Sequence, residues 1–172
     1  PMQLPMGLLA VADTVQQKGF NIEVIHLGIE KINNAKFSLN DYLKVRKPKI
    51  IGLSLHWYYQ AYEVIDLAKT IKLIIPDAIV VLGGITASYY AEEIMREFDC
   101  IDIIVRGEGE KPFAELIKAI FSGQRNFTSI PNIVWKDKDG IKINPMAYVA
   151  QKEDLDALNF TNFNLLRNFP LY

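Results

Sequence analysis

The chain has 172 residues, a single cysteine, two histidines and a net charge of −1 from 19 basic and 20 acidic side chains. One thiol excludes a disulfide framework, a Cys-rich zinc site and an iron–sulfur cluster held by this chain's cysteines alone. The even charge balance excludes the basic stripe that grips nucleic acid and the polybasic patch that anchors to membranes, and apolar runs of about five residues fall far short of the roughly 18 that span a bilayer.

The length suits one domain of roughly 100–150 residues with an appendage. The N-terminal stretch has no basic region ahead of its apolar residues and no small-residue cleavage site. With no disulfide to form, a reducing cytoplasmic setting is the expectation.

In chain order, Leu8, Val11, Ala12 and Val15 make one apolar stripe with Gly19 behind it, which predicts a helix over 7–18. Residues 22–27 are rich in β-branched side chains and read as a strand, 28–37 read as a loop, and 39–46 as a short helix capped by Ser38 and ended by Pro48. Residues 49–55 form a buried strand. Ala61, Val64, Ile65, Ala68, Ile71 and Ile75 then fall at helical spacing, and Pro76-Asp77 makes the turn.

A strand at 79–82 is closed by Gly83-Gly84, and a second helical stripe runs from Ala87 to Phe98 with Thr86 as its expected cap. A strand at 101–105 ends in Arg106-Gly107-Glu108-Gly109, and Phe113, Leu116, Ile117, Ile120 and Phe121 carry the last strong helix. Beyond Gly123, residues 132–135 and 141–144 flank Asp137-Lys138-Asp139-Gly140, a hairpin signal. From Pro145 onward no period is sustained, and the tail reads as an irregular segment that packs on the domain or leads into another.

Short, continuously apolar strands joined by helices are what a parallel sheet buried on both faces requires. The fold class is therefore α/β, a doubly wound Rossmann- or flavodoxin-like sheet with helices on both faces, followed by a β-hairpin and an irregular tail. The expected organisation is a Rossmann-like domain over 1–123 and a hairpin with linker over 124–172. The chain opens on a helix and shows four parallel strands where five or more are usual. Either a strand upstream of Pro1 or a later strand is expected to complete the sheet.

In open α/β sheets ligands sit beyond the carboxyl ends of the strands. Three loops lie there. The first is Ser54-Leu55-His56-Trp57-Tyr58-Tyr59, the second Gly83-Gly84-Ile85-Thr86, and the third Gly107-Glu108-Gly109-Glu110. Paired glycines let a backbone approach a ligand closely, and a following helix turns free N–H groups toward it. Ser54 offers a hydroxyl, and His56, Trp57, Tyr58 and Tyr59 offer flat surface to a large planar molecule. Each feature also has a plain structural reading: a tight turn, rim packing, a structural histidine, carboxylates that complement a helix dipole.

Several chemistries are disfavoured. Position 112 is proline where a dinucleotide fingerprint needs its third glycine, no Gly-Lys-Ser/Thr occurs, and no Gly-x-Ser-x-Gly elbow occurs.

At these loops the chain resembles the N-terminal cobalamin-binding domain of cobalamin-dependent radical S-adenosylmethionine enzymes. The resemblance begins at Pro5-Met6-Gly7-Leu8-Leu9 and passes through Lys47-Pro48-Lys49-Ile50-Ile51-Gly52-Leu53-Ser54 and Pro76-Asp77 to Gly83-Gly84. It continues with Asp102-Ile103-Ile104-Val105-Arg106-Gly107-Glu108-Gly109-Glu110 and Ile130-Pro131-Asn132-Ile133-Val134-Trp135. The ordered set carries it more than any one motif.

The resemblance implies a five-stranded parallel sheet of flavodoxin-like order with its first strand upstream of Pro1. It places the corrin ring over the strand ends and the nucleotide tail running past the loops after Leu55, Gly84 and Gly109. Ser54, Gly83 and Gly84 match the Ser and Gly-Gly positions of the wider cobalamin fold, and Gly107–Glu110 matches this subfamily's signature. Two departures bear on chemistry. No Asp-x-His-x-x-Gly occurs, so cobalamin would lack that lower histidine ligand; and Cys100 stands alone, so the family's iron–sulfur cluster and S-adenosylmethionine would belong to a radical domain outside these residues.

The resemblance thus implies a cobalamin module that works with a C-terminal radical domain, most often in methyl transfer, with no nucleic-acid or membrane partner. Two other readings stay open: a non-enzymatic interaction domain whose pocket is closed by Trp57, Tyr58 and Tyr59, and a flavodoxin-like domain for a flavin or nucleotide-sugar.

Overall fold

The computed structural model describes residues 4–172. They form two compact units, one from the residues up to Ser38 together with Ala150–Tyr172, the other from Leu39–Val149.

In the first unit, helix α1 (Met6–Gln17) buries Leu9, Ala10, Ala12, Asp13 and Val15; of the predicted stripe Ala12 and Val15 are buried and Leu8 and Val11 half-buried. The strand expected over 22–27 is reduced to one residue: Val24 makes an isolated parallel bridge to Leu166. The loop expected over 28–37 is mostly helix, α2 (Leu27–Asn33). The reason is His26, whose Nδ1 accepts hydrogen bonds from the N–H groups of Gly28 and Ile29 at 3.1 and 3.4 Å. An imidazole acceptor fills the role that Ser, Thr, Asp or Asn usually takes, so the helix start carries no ordinary capping signal.

The tail is ordered here. It contains a short helix (Lys152–Asp156) and two 3-10 turns (Phe163–Leu165 and Phe169–Leu171). Leu165 and Leu166 share a core with Leu9, Ala12 and Val24. The buried carboxylate of Glu30 accepts from Arg167 Nε at 2.9 Å and Asn168 Nδ2 at 2.7 Å, a charge-assisted clasp between α2 and the tail. Burial, with the charge of Glu30 adding to it, pushes the Tyr172 phenol up.

The second unit holds the sheet. Its elements run α3 (Leu39–Arg46), β1 (Ile50–Ser54), α4 (Ala61–Ile74), β2 (Ile79–Gly83), α5 (Ile85–Tyr89), α6 (Ala91–Glu97), β3 (Ile103–Val105), α7 (Glu110–Phe121), β4 (Ile133–Asp137) and β5 (Gly140–Ile143). The sheet has five strands in the order β1-β2-β3-β4-β5. The first three are parallel; β4 runs antiparallel to β3, and β5 antiparallel to β4. The wholly parallel sheet is thus corrected to a mixed one of the Rossmann-like class, in which the Asp137–Gly140 hairpin extends the sheet instead of following it.

Register places Ile51, Leu53, Val80, Leu82, Ile104 and Val134 on one face, where they pack with Leu43, Ile65, Ala68, Ile71, Ala87, Ile94 and Met95 of the helices α3 to α6. On the other face Gly52 leaves room for the ring of Phe113 from α7, 3.6 Å from where a Cβ would stand. Helices on both faces bury β2 and β3, whose central residues are continuously apolar, while β1 is only half-buried.

The single helix expected from Ala87 to Phe98 is divided into α5 and α6 at Tyr90, whose ψ of 27° leaves the helical range. Thr86 lies inside α5, and Gly84 takes the cap position assigned to it. Cys100 is a free, half-buried thiol with Sγ 4.0 Å from the carbonyl oxygen of Ile65, and burial pushes its pKa up. It is a structural thiol that packs against the core.

Candidate site at the strand ends

Parallel pairing brings the carboxyl ends of β1 and β2 level, with Ser54 opposite Gly83, and β3 alongside. The three predicted loops therefore leave the sheet at one edge. Hydrogen bonds knit them together. Leu55 N–H donates to the Gly83 carbonyl at 2.8 Å, and the Leu55 carbonyl accepts from Ala87 N–H at 3.3 Å. Thr86 Oγ1 donates to the His56 carbonyl at 2.9 Å. Ser88 Oγ donates to the Gly84 carbonyl at 2.8 Å and accepts from Gly107 N–H at 2.9 Å, joining the second loop to the third.

Gly84 is required by this arrangement. Its φ is +106°, and a Cβ there would lie 2.6 Å from the Leu55 carbonyl oxygen. Gly83 differs: the nearest atom to its notional Cβ is the Val105 carbonyl oxygen at 3.9 Å. One glycine shapes the turn, and the other leaves the floor flat.

Side chains take distinct places. Leu55 is buried in the core and offers the site only its backbone. Ser54 and His56 are exposed. Trp57, Tyr58 and Tyr59 are 51%, 75% and 67% exposed, so they do not close over the strand ends. His56 meets Trp57 edge-on at 4.9 Å, and Trp57 lies parallel to Tyr59 with centroids 6.5 Å apart. From the second loop Ile85 and Tyr89 are also exposed. Glycines at the strand ends and exposed aromatic and aliphatic side chains on the loops that follow them offer surface to a broad, flat, partly apolar ring with polar groups at its margin.

In the third loop Glu108 is exposed, Gly109 caps α7, and Glu110 occupies its first turn, where a carboxylate complements the helix dipole. Arg106, not among the predicted site residues, donates through Nη2 to the Asn144 carbonyl. Burial lowers the pKa of its guanidinium, with Glu92 acting in the opposite sense, and Nε has no partner among the described residues.

Ser88, Asn132 and Met146 are further residues that sequence reasoning missed. Ser88 lies in an ordinary helical turn and carries no signal. Asn132 has one, an Asn after proline at a strand start, a residue type that tolerates the left-handed backbone. It has φ +63° and is fully buried.

Among the described residues no three His, Cys, Asp or Glu side chains are grouped to hold a metal ion, and no helix is long and apolar enough to cross a membrane.

The B12 binding domain matches over residues 3–117. A hopanoid C-3 methylase of Methylococcus capsulatus is 30% identical over 131 residues, which are 76% of this chain and 24% of that protein. An uncharacterized methyltransferase of Pyrococcus horikoshii is 30% identical over 167 residues, 94% of this chain and 34% of that protein. Among solved structures, the radical S-adenosylmethionine methyltransferase TsrM from Kitasatospora setae, with cobalamin and a [4Fe-4S] cluster bound, aligns with a TM-score of 0.72 at 25% identity, covering 88% of this chain and 28% of that one. The chain spans about a quarter to a third of the length of these proteins.

Proposed function

The chain belongs to the B12-binding domain family, and from that premise we propose that its strand-end face holds cobalamin as the cofactor module of a cytoplasmic radical S-adenosylmethionine enzyme of the methyltransferase class. The observation that supports this reading is that the loops carrying Ser54, Gly83, Gly84 and Gly107 leave the same ends of the strands and are hydrogen-bonded to one another, with Trp57, Tyr58 and Tyr59 exposed. Ser54 and the backbone of Leu55, Gly83 and Gly84 would line the path of the nucleotide tail. His56, Trp57, Tyr58, Ile85 and Thr86 would stand at the corrin on one side, and Gly107, Glu108, Gly109 and Glu110 on the other. Bound cobalamin would supply a cobalt centre able to carry a methyl group.

The chain's own part is to bind, orient and shield. Exposed rings of Trp57 and Tyr58 would cover apolar ring surface, and the N-terminus of α7 lies at the same ends of the strands. Cluster chemistry and substrate choice would lie in a radical domain.

Exposure of Trp57, Tyr58 and Tyr59 removes the main support from the closed-pocket interaction domain, which needs those rings packed into the strand ends. Equilibrium dialysis of the purified chain against hydroxocobalamin tests the proposal: retention at about one equivalent with a displaced visible spectrum is expected, and folded protein that retains none refutes it.

A further inference from the structure

After β5 the chain does not leave the sheet directly. Residues 145–149 form a strap beside the third strand-end loop, and one residue fastens the two together. Asn132 N–H donates to the Pro145 carbonyl at 2.9 Å, and the Asn132 carbonyl accepts from Arg106 N–H at 2.7 Å. Its side chain then makes a two-way pair with the backbone of Tyr148: Nδ2 donates to the Tyr148 carbonyl at 2.7 Å, and Oδ1 accepts from Tyr148 N–H at 3.0 Å. The ring of Tyr148 in turn lies 5.6 Å from Lys111 Nζ in the first turn of α7.

The strap is thus pinned at Pro145 and Tyr148, and the two residues between, Met146 and Ala147, are exposed. Met146 is 57% exposed, yet its Cε lies 3.3 Å from where a Cβ of Gly107 would stand. A long, flexible thioether is therefore held at the edge of the site floor with most of its surface uncovered. Asn132 reaches this geometry from a left-handed backbone, which asparagine tolerates better than other non-glycine residues.

We propose that the strap is a further wall of the site: Met146 contacts the bound cofactor, and Asn132 is the positioning residue that holds it there. Methionine suits the task because its soft, unbranched chain moulds to an irregular ring edge. The proposal rests on the cobalamin reading above.

Peroxide footprinting read by mass spectrometry separates the two. With saturating hydroxocobalamin, sulfoxide formation at Met146 slows by about fivefold, Met146→Ala weakens cobalamin retention by about fivefold, and Met146→Leu restores most of it, as loss of part of one apolar side-chain contact implies. Asn132→Gly keeps the left-handed backbone and removes the clamp; it abolishes the protection of Met146 while the cobalamin spectrum still shifts. A wild-type chain that retains cobalamin but oxidises Met146 equally fast with and without it overturns the strap and leaves the cofactor reading intact. A folded chain that retains no cobalamin overturns both. The exposed Met146 variants report on the strap even if Asn132→Gly does not fold.

Discussion

Gly83 and Gly84 are adjacent and chemically identical, and the fold uses them differently. Gly84→Ala forces a Cβ to 2.6 Å from the Leu55 carbonyl at a φ of +106°, so a loss of about 2–3 kcal/mol in a urea melt is expected. Gly83→Ala meets nothing closer than 3.9 Å; stability stays within about 0.5 kcal/mol while cobalamin retention falls, because the added methyl takes up space at the strand end. Equal destabilisation by both variants would contradict this division. At this scale the sequence is a good guide where a residue type has one physical use: paired glycines after a buried strand announce a tight, ligand-near turn. It is a poor guide where the partner is remote. Ser88 joins two loops only because Gly107, 19 positions later, arrives beside it.

Elements show the same contrast. The Asp137–Gly140 hairpin and the stripes of α1, α4 and α7 are legible because period and turn chemistry are local. The start of α2 is not, since its cap is an imidazole acting as acceptor. That role gives a measurable expectation: His26→Ala removes the acceptor for Gly28 and Ile29 N–H and costs about 1 kcal/mol, and His26→Asp recovers most of it. Hydrogen exchange over α2 reads both variants, and unchanged protection in His26→Ala would count against the cap. The run at 22–27 misleads for a related reason. β-branched composition marks residues that pack well when extended, but pairing needs a neighbour in register, and only Val24 finds one, at Leu166.

For the whole molecule, class and strand order on the parallel side follow from pattern, because burial on both faces forces continuous apolar strands. What pattern does not convey is that β3 is joined next by an antiparallel hairpin, since direction leaves no mark on composition. That hairpin finishes one side of the sheet with β5, which carries Lys142 and begins at Gly140. The other side finishes with β1, Ile50–Ser54, which bears no charge, no proline and no bulge, and whose Gly52 and Ser54 are exposed although the centre of β2 is fully buried.

Outward-facing main-chain groups of β1 therefore lack a ladder partner among the described residues, while the opposite border is blunted by lysine. The two borders of this sheet therefore differ in what they offer a further strand: β1 presents uncharged main chain that could extend the parallel ladder, and β5 presents a lysine-bearing hairpin that ends it.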